Sequence, residues 1–185
     1  MRKSIIILED FYENPYKVID IASTFSFKED NTSYKGYRSV EAYKPFHLKE
    51  TIEDILQEKI KSNSSWDKFP NASFQITHSE HPQVYHCDSQ SWAGVLYLSP
   101  NSPIMSGTRT HISLLDGSRR ASETTEHTFS SGFYDSTKFA TVDNIGNIFN
   151  RLVLFDSTQI HSAGPYWGDN INNGRLVQLF FFDTE

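Results

Sequence analysis

Pro82-Gln83-Val84-Tyr85-His86-Cys87-Asp88 combines β-branched and aromatic residues with a proline where a strand can begin. Ser89-Gln90-Ser91 behind it reads as a turn, so residues 83–88 are predicted to be extended. Residues two apart in a strand share a face, which aims His86 and Asp88 at one point and turns Cys87 away into packing. A helix over the same residues would separate the two side chains.

A strand of this kind needs neighbours, and the chain around it supplies them. From Phe74 onward, short runs of strand-forming residues alternate with turn residues, the pattern of a sandwich or barrel. Strands are predicted at 73–77, 83–88, 93–98, 108–113, 139–142, 151–155, 159–162 and 175–183, and eight is the jelly-roll number. Upstream, Ile5-Ile6-Ile7-Leu8 reads as a first strand. Asn14 is placed to cap a helix with Pro15 at its first position, running to about Phe25 with Val18, Ile19, Ala22 and Phe25 on one stripe. Ile52, Ile55, Leu56 and Ile60 mark a second helix from Leu48 to about Ile60 that would back a sheet. Residues 31–43 show no period and suggest an excursion or irregular hairpin, and 116–138 form a long polar loop that could act as a lid.

The expected architecture is therefore mainly β with N-terminal helices, a double-stranded β-helix (jelly-roll, cupin-like) core backed by helices. At 185 residues and 21.3 kDa one domain is expected, with 1–72 as helical support and 73–185 as the core. The net charge of -6 argues against a phosphate-backbone partner, so no nucleic acid is expected. One cysteine excludes an internal disulfide and favours a reducing, cytoplasmic setting. Four apolar residues before Glu9-Asp10 are too few for a signal-peptide core or a membrane span. The oligomeric state is open.

His86 and Asp88 alone are weak evidence, because 23 acidic residues and seven histidines yield about one His-x-acid triplet by chance. Gln159-Ile160-His161 supplies the third group. Two imidazoles and a carboxylate on one side of an ion, with the opposite positions open, form the facial triad of non-haem Fe(II) oxygenases. The proposed metal ligands are His86, Asp88 and His161.

Over about residues 74–183 the chain resembles the 2-oxoglutarate and Fe(II)-dependent dioxygenases, particularly their prolyl hydroxylase-like branch. Five features match in order: His86-Cys87-Asp88; the strand Val95-Leu96-Tyr97-Leu98-Ser99; the small-residue turn Ser106-Gly107-Thr108; Leu152-Val153-Leu154-Phe155-Asp156 leading to His161; and Gly174-Arg175 opening the last strand. The resemblance implies that Arg175 forms a salt bridge to the distal carboxylate of 2-oxoglutarate and that Tyr97 donates a hydrogen bond to it. A planar guanidinium suits a carboxylate, and Arg175, Val177, Leu179 and Phe181 share one strand face. The 14 positions from His161 to Arg175 exceed the family's usual spacing and are read as an extended turn around Gly168 and Gly174, and Ser99 stands where many relatives carry Asn.

The implied activity is hydroxylation of a C–H bond with Fe(II), 2-oxoglutarate and O2, ascorbate being a possible supporting reductant, and with succinate and carbon dioxide as coproducts. A prolyl or other peptidyl side chain is the leading substrate class, with a free amino acid or small metabolite as the alternative. A non-catalytic cupin-like metal-binding protein and a sugar isomerase are rival readings. His78 and His81 are expected at the surface, Arg119-Arg120 as a solvated pair, and His47, His111 and His127 show no partners in sequence.

Overall fold

The computed structural model describes residues 3–29, 35–120 and 134–185. His127 and most of the long polar loop, together with 31–34, lie outside the described residues. The strands are β1 (Ile5–Leu8), β2 (Phe27–Glu29), β3 (Tyr37–Ala42), β4 (Ser73–Thr77), β5 (Trp92–Tyr97), β6 (Thr108–Ser113), β7 (Phe139–Ile145), β8 (Leu152–Asp156), β9 (His161–Ala163) and β10 (Arg175–Phe182). The helices are α1 (Pro15–Thr24) and α2 (Leu48–Leu56).

The strands form a seven-stranded antiparallel sheet in the order β1-β8-β5-β10-β4-β3-β2, facing a three-stranded sheet in the order β7-β6-β9. This is the expected jelly-roll core. Residue parity sorts its two faces. Leu96, Leu152, Leu154, Phe180 and Phe182 pack outward against Val18 and Ala22 of α1 and Leu48, Ile52 and Leu56 of α2. Ala93, Val95, Tyr97, Val153, Phe155, Val177 and Leu179 form the inner cluster towards the small sheet. Every residue of β5 is buried, because helices cover one face of the large sheet and the small sheet the other.

The N-terminal helix begins as expected, with the Asn14 side chain accepting from the Lys17 amide and Pro15 in the first turn. The second helix is shorter than its apolar stripe. Gln57 turns left-handed after Leu56, and the Glu53 carboxylate accepts from the Ile60 amide and from Lys59, so Ile60 leaves the helix and bridges to Thr184. Residues 3–72 are also more than helical support: β1 extends the large sheet beside β8, and the β2–β3 hairpin extends its other edge beside β4.

The predicted strand at 83–88 does not form as a continuous strand. His86 pairs with His161 through two backbone hydrogen bonds, while the Asp88 amide donates to Ser157, and Ile160 between those partners instead donates to Arg119 and accepts from His111. The ladder is broken because residues 157–161 serve two neighbours at once.

Candidate metal centre and cosubstrate cavity

His86, Asp88 and His161 converge, each offering one ligand atom, with all three atoms within 4.8 Å of one another. The Nε2 atom of His86 lies 3.6 Å from one Asp88 oxygen, and the Nε2 atom of His161 lies 3.5 Å from the other. The paired backbones of His86 and His161 set this arrangement, bringing the ring centroids to 4.2 Å. Asp88 joins them because the chain stays extended for two residues past His86 and is then held by Ser157.

The opposite nitrogen of each ring is also engaged. Nδ1 of His161 lies 2.8 Å from the Gln159 carbonyl oxygen, and Nδ1 of His86 lies 3.2 Å from that of Val84. A carbonyl can only accept, so Nδ1 of each ring donates, and Nε2 is the nitrogen turned towards Asp88. Burial, then the neighbouring His86, holds the pKa of His161 down at about 4 despite the pull of Asp88, so the ring is neutral near pH 7. Two imidazole nitrogens turned towards one carboxylate are the donor set a divalent first-row cation takes. The residues fit Fe(II), with His161 buried and His86 facing the open side, its side chain 38% exposed.

Arg175 opens β10 on the same inner face as Val177 and Leu179 and is only 4% exposed. Its Nε donates to the Ser106 carbonyl at 2.9 Å, and its guanidinium carbon lies 5.4 Å from the centre of the Tyr97 ring. Among the described residues no carboxylate forms a salt bridge with it. A buried guanidinium without a carboxylate is costly, and a bound anion would offset that cost.

One cavity of about 580 Å³ is lined by His86, Asp88, His161 and Arg175 together, with Val95, Phe155 and Leu179 as apolar walls. That volume is in the range of small-molecule sites. Tyr97 is not part of the lining. It stands behind Arg175, with its hydroxyl 2.7 Å from Thr108 Oγ1, and it is Thr108 and Tyr166 that face the cavity. Burial raises the pKa of both Tyr97 and Tyr166, and Arg175 opposes the rise in each case.

Thr108 and Tyr166 were not singled out from sequence. Thr108 directly follows the Ser106-Gly107 turn and could have been found by its position, whereas Tyr166 lies in the irregular turn after β9 and carries no pattern. That turn is closed by Asn173, whose side-chain oxygen accepts from the Asp169 and Asn170 amides, with Gly168 at φ +78°.

Other histidines and arginines depart from expectation. His78 and His81 are buried, with ring centroids 4.0 Å apart and both rings near Tyr37, because the β2–β3 hairpin covers the end of β4. Arg120 donates to Asp156 at 2.8 Å and Arg119 to Gln159 at 3.0 Å, so this pair ties the start of the long loop to the segment before His161. His111 has buried partners, with Nε2 2.8 Å from the Ser162 hydroxyl. Cys87 packs beside Tyr85, Phe139 and Ile160, away from the three ligands. No helix among the described residues is long and apolar enough to cross a membrane.

No family model matches the sequence, and no curated protein matches it significantly. Solved structures do match the fold. A prolyl hydroxylase from Trichoplax adhaerens, in complex with a hypoxia inducible factor degradation-domain peptide, is 13% identical with a TM-score of 0.54, covering 97% of this chain and 84% of the other. HygX from Streptomyces hygroscopicus, with nickel, 2-oxoglutarate and hygromycin B bound, is 9% identical with a TM-score of 0.58, covering 97% and 82%. An N-substituted L-amino acid dioxygenase from Burkholderia ambifaria is 12% identical with a TM-score of 0.51, covering 95% and 80%. The chain thus shares, over nearly its whole length, the jelly-roll fold of the dioxygenases to which its sequence motifs pointed.

Proposed function

We propose that the protein is a non-haem Fe(II) and 2-oxoglutarate-dependent dioxygenase that hydroxylates a C–H bond, acting as one domain over residues 1–185. The observation that carries this reading is a pair of features in one cavity: a two-histidine, one-carboxylate cluster, and a buried arginine that has no carboxylate partner among the described residues. A barrel that only binds metal has no use for that arginine, and a sugar isomerase is disfavoured because such sites usually present more histidines.

His86, Asp88 and His161 would hold the ion from one side and leave the opposite positions open for 2-oxoglutarate and O2. The ion and its cosubstrate supply the oxidising chemistry when bound. Arg175 orients the distal carboxylate of 2-oxoglutarate. Its own direction is fixed by the Ser106 carbonyl and the Tyr97 ring, so little freedom is lost on binding. Thr108 and Tyr166 line the same cavity. Tyr97, proposed from sequence as a direct donor, acts from its position behind Arg175 and Thr108. Val95, Phe155 and Leu179 keep the reacting region dry, which strengthens every charged contact in it.

The leading substrate class is a prolyl or other peptidyl side chain, in line with the peptide bound by the Trichoplax enzyme. A small molecule is the alternative, in line with hygromycin B in HygX. The test is Fe(II)-dependent formation of succinate from 2-oxoglutarate by the purified protein in air, with ascorbate present. Succinate formation that disappears in Arg175→Ala supports the reading, and its absence from folded, iron-loaded protein across peptide and small-molecule substrate panels contradicts it.

A further inference from the structure

The two contacts that aim Arg175 are rooted in one short segment. Its Nε donates to the Ser106 carbonyl at 2.9 Å, and its guanidinium lies over the Tyr97 ring, whose hydroxyl is 2.7 Å from Thr108 Oγ1. Both supports therefore move with residues 106–108. Whatever fixes that segment fixes the anchor proposed for the distal carboxylate of 2-oxoglutarate.

One residue from a distant part of the chain holds it. Asn147, two residues past the end of β7, donates through its backbone N–H to the Ile104 carbonyl at 2.9 Å and through Nδ2 to Ser106 Oγ at 3.0 Å, so it grips both ends of the 3-10 turn Ile104–Ser106. The direction of the amide is forced. Ser106 Oγ gives its proton to the Pro103 carbonyl at 2.6 Å, so towards Asn147 it can only accept, and the NH2 group must face it. The Oδ1 atom is then left buried, and among the described residues it accepts no hydrogen bond. Asn147, Ser106 and Arg175 are all buried. A buried orphan acceptor lowers stability, and a leucine, with the same branching and no polar atom, would remove it. The amide at 147 thus costs the fold something, and what it holds is the residue that carries the arginine's acceptor.

We infer that Asn147 is a positioning residue for cosubstrate binding: through Ser106 it holds the carbonyl that directs the Arg175 guanidinium at the distal carboxylate of 2-oxoglutarate. The inference rests on the dioxygenase reading above and adds to it a residue outside the cavity lining. A guanidinium pairs well with a carboxylate only in a fixed planar alignment, so a small displacement of its acceptor costs affinity while leaving its charge in place. The effect is confined to 2-oxoglutarate. His86, Asp88 and His161 come from other segments, so Fe(II) affinity should be spared.

The test is a double-mutant cycle between Asn147→Leu and Arg175→Ala, read as 2-oxoglutarate affinity from anaerobic visible-absorption titration of the Fe(II)-loaded proteins. Asn147→Leu should weaken 2-oxoglutarate binding about three- to tenfold, the range of one hydrogen bond's alignment, with Fe(II) affinity within about twofold of wild type. In the Arg175→Ala background the same substitution should change 2-oxoglutarate affinity by less than about twofold, because Asn147 acts only through the arginine. A residue that merely supports packing would weaken binding by the same factor in both backgrounds, and that result overturns the inference. Unchanged affinity in Asn147→Leu overturns it too. Should Asn147→Leu show no cooperative unfolding transition, Ser106→Ala, which removes the accepting hydroxyl and keeps the backbone carbonyl, replaces it in the same cycle with the same expectations. If the wild-type Fe(II) protein forms no 2-oxoglutarate complex, the dioxygenase reading falls; if the complex forms and the cycle shows no coupling, only this inference falls.

Discussion

His86 and His161 exchange both backbone hydrogen bonds, at 3.0 and 2.8 Å, so two residues 75 positions apart are held opposite each other by the backbone itself. Metal binding should therefore stabilise a fold that is already formed. Adding Fe(II), or Ni(II) as an inert substitute, should raise the melting temperature in proportion to the logarithm of ligand concentration above Kd. Asp88→Asn and His161→Ala should each abolish that rise while leaving a cooperative transition in the metal-free protein. A metal-induced shift that survives in both variants would place the ion elsewhere.

Arg175 is expected to govern the cosubstrate and not the ion. Charge-assisted hydrogen bonds contribute about 1.5 to 3 kcal/mol, so Arg175→Ala should weaken 2-oxoglutarate binding by about ten- to hundredfold while Fe(II) affinity stays within about threefold. Tyr97→Phe removes the hydroxyl that holds Thr108 and should have a smaller, several-fold effect. Calorimetry with metal and 2-oxoglutarate titrated separately reads both quantities. Equal losses for the two ligands in Arg175→Ala would point to a general loss of packing.

Gly107 permits the close crossing that positions the arginine's acceptor. A Cβ there would collide with the Ile145 carbonyl oxygen and come within 2.8 Å of the Asn147 amide nitrogen, both parts of the backbone. Its carbonyl also accepts from Gly164 at 2.7 Å, tying the turn before β6 to the end of β9. Gly107→Ala is expected to destabilise the protein by about 2 to 4 kcal/mol, measured by urea denaturation. A loss below about 0.5 kcal/mol would show that the crossing relaxes freely.

His111 should give the apo protein a pH-dependent stability. Burial, with Arg109 nearby, lowers its pKa from 6.5 to about 4, so the folded protein keeps the ring neutral while the unfolded chain takes up a proton below about 6.5. The unfolded state then binds more protons between these values, so this contribution is complete above about pH 6.5 and is lost as pH falls towards 4. Melting temperatures of apo protein should drop over that interval, and His111→Gln should reduce the drop, the remainder coming from His161, whose pKa is held down to about the same value. An identical slope in wild type and variant would assign the dependence to other groups.

The elements most legible in sequence were those whose signal is local. Asn14-Pro15 marks the start of α1, and β4 and β6 fall at the residues expected from their strand pattern and flanking turns. Residues 83–88 depart from a continuous strand because their backbone partners are divided between His161 and Ser157, a tertiary feature that no local pattern carries. The spacing of His86 and Asp88 still placed both on one side, since an extended chain keeps its alternation without a full ladder. Burial of His78 and His81 depends on a hairpin distant in sequence, and Lys35 and Lys68 come to line the cavity from segments without periodicity. What the sequence hides is which segments meet; which residues can bind metal is visible from composition and spacing.

The central claim is that His86, Asp88 and His161 hold Fe(II) within reach of a 2-oxoglutarate anchored by Arg175. Anaerobic titration of the Fe(II)-loaded protein with 2-oxoglutarate, followed by visible absorption, tests it most directly. A weak metal-to-ligand charge-transfer band that saturates in the wild type and requires much higher 2-oxoglutarate in Arg175→Ala is the predicted result. Folded, iron-loaded protein that develops no such band at saturating 2-oxoglutarate would contradict the account.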